Sequence, residues 1–149
     1  MVTIEAVDAR NVFDVCELTT NADGMGTVLE EFLCGNAVSI SEAAYFPAMN
    51  PRALYEGGCL VGFFMYERTE AQPETATLCR FMIDRRFQGR GLGRQAFARM
   101  LDYFRQQGVR RAVLMIDEEN VVAKSLYLSF GFSFTGKVEE GEHYYALSL

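Results

Sequence analysis

A mainly apolar run, residues 78–83 (LCRFMI), leads almost directly into residues 85–95, RRFQGRGLGRQ, where three glycines and four arginines share eleven positions. This order of residues predicts a strand that runs into bare backbone and then into a helix. Glycines at 89, 91 and 93 permit positive φ and carry no Cβ to obstruct a ligand, so successive amide N–H groups can turn toward one anion. A helix starting at about Leu92 adds the positive end of its dipole. The segment is therefore expected to cradle a phosphate; the plain alternative is a tight turn that needs glycine for its own geometry. A Walker A loop would require Gly-Lys followed by Ser or Thr, and a dinucleotide fingerprint would space its glycines GxGxxG near an N-terminal strand. Here the spacing is GxGxG, late in the chain, and neither fits.

With 149 residues, 50% of them hydrophobic, the expectation is one domain, residues 1–149, with a full core. The start, MVTIEAVDARN, has no basic region ahead of a long apolar block. No window approaches the roughly 20 apolar residues of a membrane span, so a cytoplasmic protein without a membrane partner is expected. Cys16, Cys34, Cys59 and Cys79 form neither a CxxC pair nor a Cys/His cluster; they read as reduced core thiols, and no metal site is expected. The net charge of -6 is unevenly placed. Residues 1–79 carry twelve acids against three arginines, residues 80–111 nine arginines against Asp84 and Asp102, and the remainder is again acidic. Such asymmetry suits a basic site for an anionic ligand beside an acidic surface, although solvated helix faces account for some of the arginines. Nucleic acid is excluded as a partner by the overall acidity and by the absence of an aromatic platform within the basic segment.

Periodicity and turn residues predict alternating elements. Residues 2–7 read as a strand and 8–20 as a helix with Val12, Val15, Cys16 and Leu18 on its buried side. After a break at residues 23–26, short helices are expected at 27–33 and 39–46, the second capped by Ser39 or Ser41 and ended by Pro47. Residues 52–56 and 60–67 flank Gly57-Gly58 as a hairpin, and 75–83 adds a third strand. A helix at 92–107 stops at Gly108, followed by a strand at 109–116, a helix at 121–130, and strands at 132–138 and 143–149. The result is an α/β domain around a mixed sheet.

Gln88-Gly89-Arg90-Gly91-Leu92-Gly93 resembles the Q/R-x-x-G-x-G/A pyrophosphate loop of the GNAT superfamily of N-acetyltransferases, and residues 120–132, NVVAKSLYLSFGF, resemble that superfamily's later segment, with an asparagine opening a helix and a tyrosine seven residues on. The order of elements is also that superfamily's. The resemblance implies a GNAT-like fold, a mixed, mostly antiparallel central sheet flanked by helices, and acetyl-CoA as cosubstrate. It places the pyrophosphate on Gln88, Gly89, Arg90, Gly91, Leu92, Gly93 and Arg94, the pantetheine on backbone groups of Phe81, Met82 and Ile83, and Asn120 near the pantetheine arm. VTIEAV, SISEAAYF, PRALYEGGCLVGFFMY and CRFMIDRRFQGRGLG together resemble bacterial spermine/spermidine (diamine) N-acetyltransferases. A homodimer is expected from this likeness and from exposed strand edges.

Seven residues make about two helical turns, so Asn120, Lys124 and Tyr127 are expected on one side of their helix, able to share a ligand. Acetyl transfer needs a neutral amine, fixed donors for the tetrahedral oxyanion, and a proton for the departing thiolate. Tyr127 is the candidate acid. The base is open: Cys79 occupies the position where many members of the superfamily carry glutamate, Asp84 reads more simply as an ion-pair partner of Arg85 or Arg86, and Glu42 or a water chain remains. His143 reads as structural. For a polycationic acceptor the candidate residues are Glu30, Glu31, Glu42, Tyr45 and Glu56. Other acceptors stay open, namely an aminoglycoside, an amino acid or a protein N-terminus, as does a non-catalytic acyl-CoA sensor.

Overall fold

The computed structural model describes residues 1–21 and 35–149; the helix expected at 27–33, with Glu30, Glu31 and Cys34, lies outside the described residues. The elements run β1 (Val2–Ala6), α1 (Val12–Glu17), α2 (Asn36–Tyr45), β2 (Met49–Glu56), β3 (Cys59–Glu67), β4 (Thr75–Ile83), a 3-10 turn (Arg85–Phe87), α3 (Leu92–Gln106), β5 (Arg111–Ile116), α4 (Val121–Ser129), β6 (Ser133–Glu139) and β7 (Glu142–Ser148). The strands form one sheet in the order β1-β2-β3-β4-β5-β7-β6. Only the β4–β5 pair is parallel, as the helical crossover between them allows. This is the mixed, mostly antiparallel α/β architecture expected from the sequence.

Each face of the sheet has its own core. On one, α3 buries Leu92, Ala96, Phe97, Met100, Leu101 and Phe104, a stripe at three- and four-residue spacing, against Leu54, Phe64, Leu78 and Leu114. Complete burial of Phe97 and Phe104 stabilises by about 1.5–3 kcal/mol each. On the other face, Val15 and Leu18, with Ile40 and Ala43 of α2, pack on Ala53, Phe63, Met65 and Met82.

The departures from expectation trace to particular residues. Helix α1 is shorter than 8–20: the Asp8 side chain accepts from the Arg10 amide (2.8 Å), and Asn11 is occupied with the Asp8 amide and the Ala6 carbonyl. At its other end Leu18 is already extended (φ -62, ψ 137). Helix α2 starts at Asn36 and is capped by Gly35, not by Ser39 or Ser41; Ser39 is buried within it, and Ser41 Oγ donates back to the Ala37 carbonyl (2.8 Å). Strand β2 begins before Pro51 because β1 reaches only to Arg52, which leaves that edge of Pro51 without a neighbouring strand. Cys16, Cys59 and Cys79 are free, but Cys59 is exposed at the first position of β3, contrary to the expectation of a core thiol. No helix among the described residues is long and apolar enough to cross a membrane.

Candidate active site

Strand β4 changes phase midway. Arg80 pairs with Met65 and Leu78 with Tyr66, so Cys79 is an extra residue, a bulge, on β4. Before it, Ala76 and Leu78 face the α3 core; after it, Phe81 and Ile83 do, while Cys79 and Met82 face the α1–α2 side. Pairing with β5 covers Thr75–Leu78 against Arg111–Leu114 and ends there, whereas β5 stays paired with β7 as far as Ile116. The two strands diverge into a cleft of about 110 Å³ lined by, among others, Cys79, Phe81, Met115, Asp117, Asn120 and Tyr127. The side chains of Phe81, Met82 and Ile83 are taken up by the cores, Phe81 edge-on to Phe97 at 5.3 Å. What this stretch of β4 presents along the side facing β5 is backbone without a strand partner.

Beyond the cleft, β4 runs on through the 3-10 turn into the glycine loop. Gly89 (φ 76) and Gly91 (φ 75) adopt the left-handed backbone that glycine permits. Gly93 does not: it lies in the first turn of α3, where an added Cβ would meet only Ile83 Cγ1 at 3.9 Å. Of the two properties that glycine offers, position 93 uses only the missing Cβ. Gly91 caps α3 without a side chain, and the amides of residues 89–94 have no acceptor among the described residues. Those of residues 92–94 are the orphan donors of a helix N-terminus, an arrangement suited to an anion. Leu92 buries its side chain and can offer only backbone. Gln88 Nε2 turns back to the Ile83 carbonyl (3.0 Å). Arg90 lies over the Phe87 ring (5.7 Å), and Arg94 donates to Ser129 Oγ (2.7 Å) and covers Phe130, joining α3 to α4.

On α4 the expected shared face is realised in part. Asn120 caps the helix, its Oδ1 accepting from the Ala123 amide (3.2 Å), and lines the cleft together with Tyr127. Lys124 is drawn aside by an ion pair with Glu118, whose carboxylate also accepts from the Tyr145 hydroxyl (3.4 Å). The Tyr127 ring lies 5.1 Å from Phe97, and its hydroxyl has no hydrogen-bond partner among the described residues. Burial pushes the Tyr127 phenol up to about 12, so it is a proton donor across the working pH range.

Around the cleft, burial pushes the Cys79 thiol up to about 11 despite the opposing effect of Arg80. A protonated thiol is no base. Glu42 of α2 pairs with Arg80 at 3.8 Å, Tyr45 is exposed at the last position of the same helix, and the Glu56 carboxylate binds the N-terminal ammonium of Met1 at 3.3 Å. Asp84 pairs with Arg86 (2.8 Å). His143 packs its ring on Phe134 and sits 3.8 Å from Glu118. Two participants are not evident from the sequence. Glu118 fastens the loop before α4, and Asp84 bonds to the Thr19 amide across 65 positions. An Asp directly after a strand, two residues before an amide it can cap, is the one local signal for the second. Among the described residues no cluster of His, Cys, Asp and Glu forms a metal-ligand set.

A glycine loop with unpaired amides among the described residues, on the same strand as an open edge facing a protonated phenol, suits a ligand with phosphates at one end and a slender amide-bearing arm. Known proteins share this fold. Residues 22–132 match the acetyltransferase (GNAT) family. The chain is 30% identical over 144 residues to the spermine/spermidine N(1)-acetyltransferase of Bacillus subtilis, covering 93% of this chain and 91% of that one. Its fold superposes on an acetyltransferase from Thermus thermophilus with a TM-score of 0.75, at 24% identity over 100% of this chain and 97% of the other. It also superposes on yncA of Salmonella typhimurium, solved with its cofactor acetyl-CoA, with a TM-score of 0.67 at 20% identity, over 100% and 94% of the two chains. With a family match over well more than half its length and a relative aligned across nearly all of it, the chain belongs to the acetyltransferase (GNAT) family.

Proposed function

We propose that the chain moves an acetyl group from acetyl-CoA to a primary amine by direct attack, and that the amine is a polyamine such as spermine or spermidine. The observation that carries the first part is the opening between β4 and β5 at the bulged Cys79, on the strand that runs on into a loop whose amides, residues 89–94, have no acceptor among the described residues. Pyrophosphate fits those amides. The arm fits the free edge of Phe81, Met82 and Ile83, with Asn120 across from it. Backbone donors there meet the oxyanion as it forms, without reorganisation. Tyr127 gives the departing thiolate its proton or a strong hydrogen bond, the role left to a phenol that does not ionise at neutral pH.

The amine must arrive neutral or lose its proton on the way. Cys79 cannot take that proton, and Glu42, although held by Arg80, is the α2 carboxylate on that side of the sheet. The polyamine reading is supported by the likeness to the Bacillus subtilis enzyme and by the acidic excess of residues 1–79. One observation favours a second reading, an acyl-CoA sensor without turnover: the Cys79 thiol, at the position where the family resemblance leads one to expect glutamate, stays protonated. Steady-state release of free thiol from acetyl-CoA with a panel of polyamines, monoamines, aminoglycosides, amino acids and peptide N-termini decides between them. Turnover with polyamines is expected. Turnover with another class only would overturn the acceptor, and binding without turnover on any amine would favour the sensor.

A further inference from the structure

Among the described residues Asp84 is the only charged group that is buried, 1% exposed, and it stands where β4 passes into the glycine loop. Its two oxygens serve different parts of the chain. Oδ1 accepts from the Arg86 amide (3.0 Å) and from Arg86 Nε (2.8 Å), within the loop. Oδ2 accepts from the Thr19 amide (3.0 Å), just beyond the end of α1. The junction is doubled by the Arg85 amide donating to the Thr19 carbonyl (2.9 Å), and anchored to β3 by the Asp84 amide donating to the Val61 carbonyl (2.9 Å). Burial raises the Asp84 carboxyl, but the Arg86 guanidinium and the Arg86 and Thr19 amides outweigh it and hold the group below its ordinary value. The carboxylate is ionised at neutral pH. From Thr19 the connection continues through α1 to α2, where Asn36 Nδ2 donates to the Val15 carbonyl (2.9 Å).

A buried anion beside an anion cradle is unfavourable for a phosphate ligand on charge alone. Its burial at this point needs a compensating role, and the hydrogen bonds supply one. We propose that Asp84 is a positioning residue whose carboxylate holds the amides of residues 89–94 in register for the donor's phosphates and ties that cradle to the α1–α2 face. The inference rests on the acetyl-CoA assignment above. Charge and positioning give opposite signs for Asp84→Asn: loss of repulsion would tighten donor binding, whereas loss of the clamp weakens it, because an amide cannot accept at both oxygen positions and sets an NH₂ against either Thr19 or Arg86.

The test is calorimetric titration of acetyl-CoA into wild type, Asp84→Asn and Thr19→Pro, with KM and kcat measured alongside. Thr19→Pro deletes the donating amide at a site whose preceding residue, Leu18, already has the extended backbone that proline demands of its predecessor. Both variants should bind acetyl-CoA about tenfold or more weakly and raise its KM while leaving kcat within about twofold, a split that a merely less stable fold does not produce. In the wild type, hydrogen exchange at the Thr19 and Arg86 amides should slow on adding acetyl-CoA, a readout that stands even if neither variant folds. Wild-type binding with no change in that exchange, or folded variants with undiminished affinity, overturns the role of Asp84 alone. Absence of binding to the wild type overturns the donor assignment and the role of Asp84 with it.

Discussion

At Tyr127 one oxygen separates chemistry from packing. The ring lies on Phe97 and belongs to the α3 core, while the hydroxyl faces the cleft without a partner among the described residues. Tyr127→Phe should therefore keep the melting temperature and the acetyl-CoA affinity and lower kcat about ten- to a thousandfold, as calorimetry and thiol release would show; equal kcat would remove Tyr127 from the mechanism. The same burial has a signed consequence for pH. With the phenol pushed up to about 12 in the fold against about 10 in the unfolded chain, its contribution to stability is complete below pH 10 and is lost as pH rises from 10 to 12. Alkaline melting curves of wild type should fall over that window, and those of Tyr127→Phe should fall less. Gly93 offers an equally clean test of the cradle. Its backbone is helical and a Cβ would touch only Ile83 at ordinary distance, so Gly93→Ala should hold or raise the melting temperature by removing a helical glycine. Donor affinity should survive Gly93→Ala, since the G/A position of the loop pattern admits alanine, and drop about tenfold in Gly93→Val, whose branched side chain stands where phosphate must approach backbone. Unchanged affinity in a folded Gly93→Val would mean that phosphate does not bind there. Gly91 is less informative, because at φ 75 any side chain strains the loop with or without a ligand.

The element on which the site depends is β4, and its decisive feature is the one extra residue. Deleting Cys79 would restore plain alternation: Ala76, Leu78, Phe81 and Ile83 would then fall on one face of an unbroken strand, with Arg80 on the other. Such a variant should fold, because every core side chain keeps its side of the sheet. It should also extend the β4–β5 ladder, close the cleft, and lose acetyl-CoA binding by tenfold or more in calorimetric titration. A folded deletion variant with normal affinity would show that the bulge does not open the site. This feature also marks the limit of what can be read from the sequence. The bounds of β4 and the start of α3 are legible because the pattern and the glycines are local, and so are the loop and the Asn120–Tyr127 spacing. The bulge is not, since LCRFMI has no polar parity to betray a change of phase, and both sides of the strand are covered by helices. Lys124 illustrates the same limit. Helical spacing places it beside Asn120 and Tyr127, but its ammonium goes to Glu118, a partner set by how the loop before α4 packs on β7. The early end of α1 has likewise no local cause, because Thr19 leaves the helix for a bond to Asp84 that only tertiary structure creates.

Along the chain, charge is segregated: the basic segment 80–111 contributes the donor loop and α3, while the acidic residues 1–79 contribute α1, α2 and strands β1, β2 and β3. Two of the described carboxylates proposed for the acceptor already have cationic partners, Glu42 with Arg80 and Glu56 with Met1. Capture of a polycation would then rest on the collective field of the acidic half more than on any single pair. That distinction is measurable. Exposed charges are screened over about 10 Å at 0.1 M salt, so KM for spermine should rise with ionic strength much more steeply than KM for a monoamine of similar length, with kcat little affected. At low salt kcat/KM should favour the polyamine. Activity should climb from neutral to mildly alkaline pH, because only an uncharged nitrogen attacks and the Cys79 thiol, held up to about 11, gives no help in removing its proton. Glu42→Gln separates field from chemistry. If Glu42 contributes charge alone, KM for the polyamine should rise modestly and kcat should stay; if it also takes the amine proton, kcat should fall as well and the rise with pH should shift to higher pH. A salt response identical for spermine and a monoamine would sink the polycation reading and leave acetyl transfer to an amine whose recognition does not depend on charge.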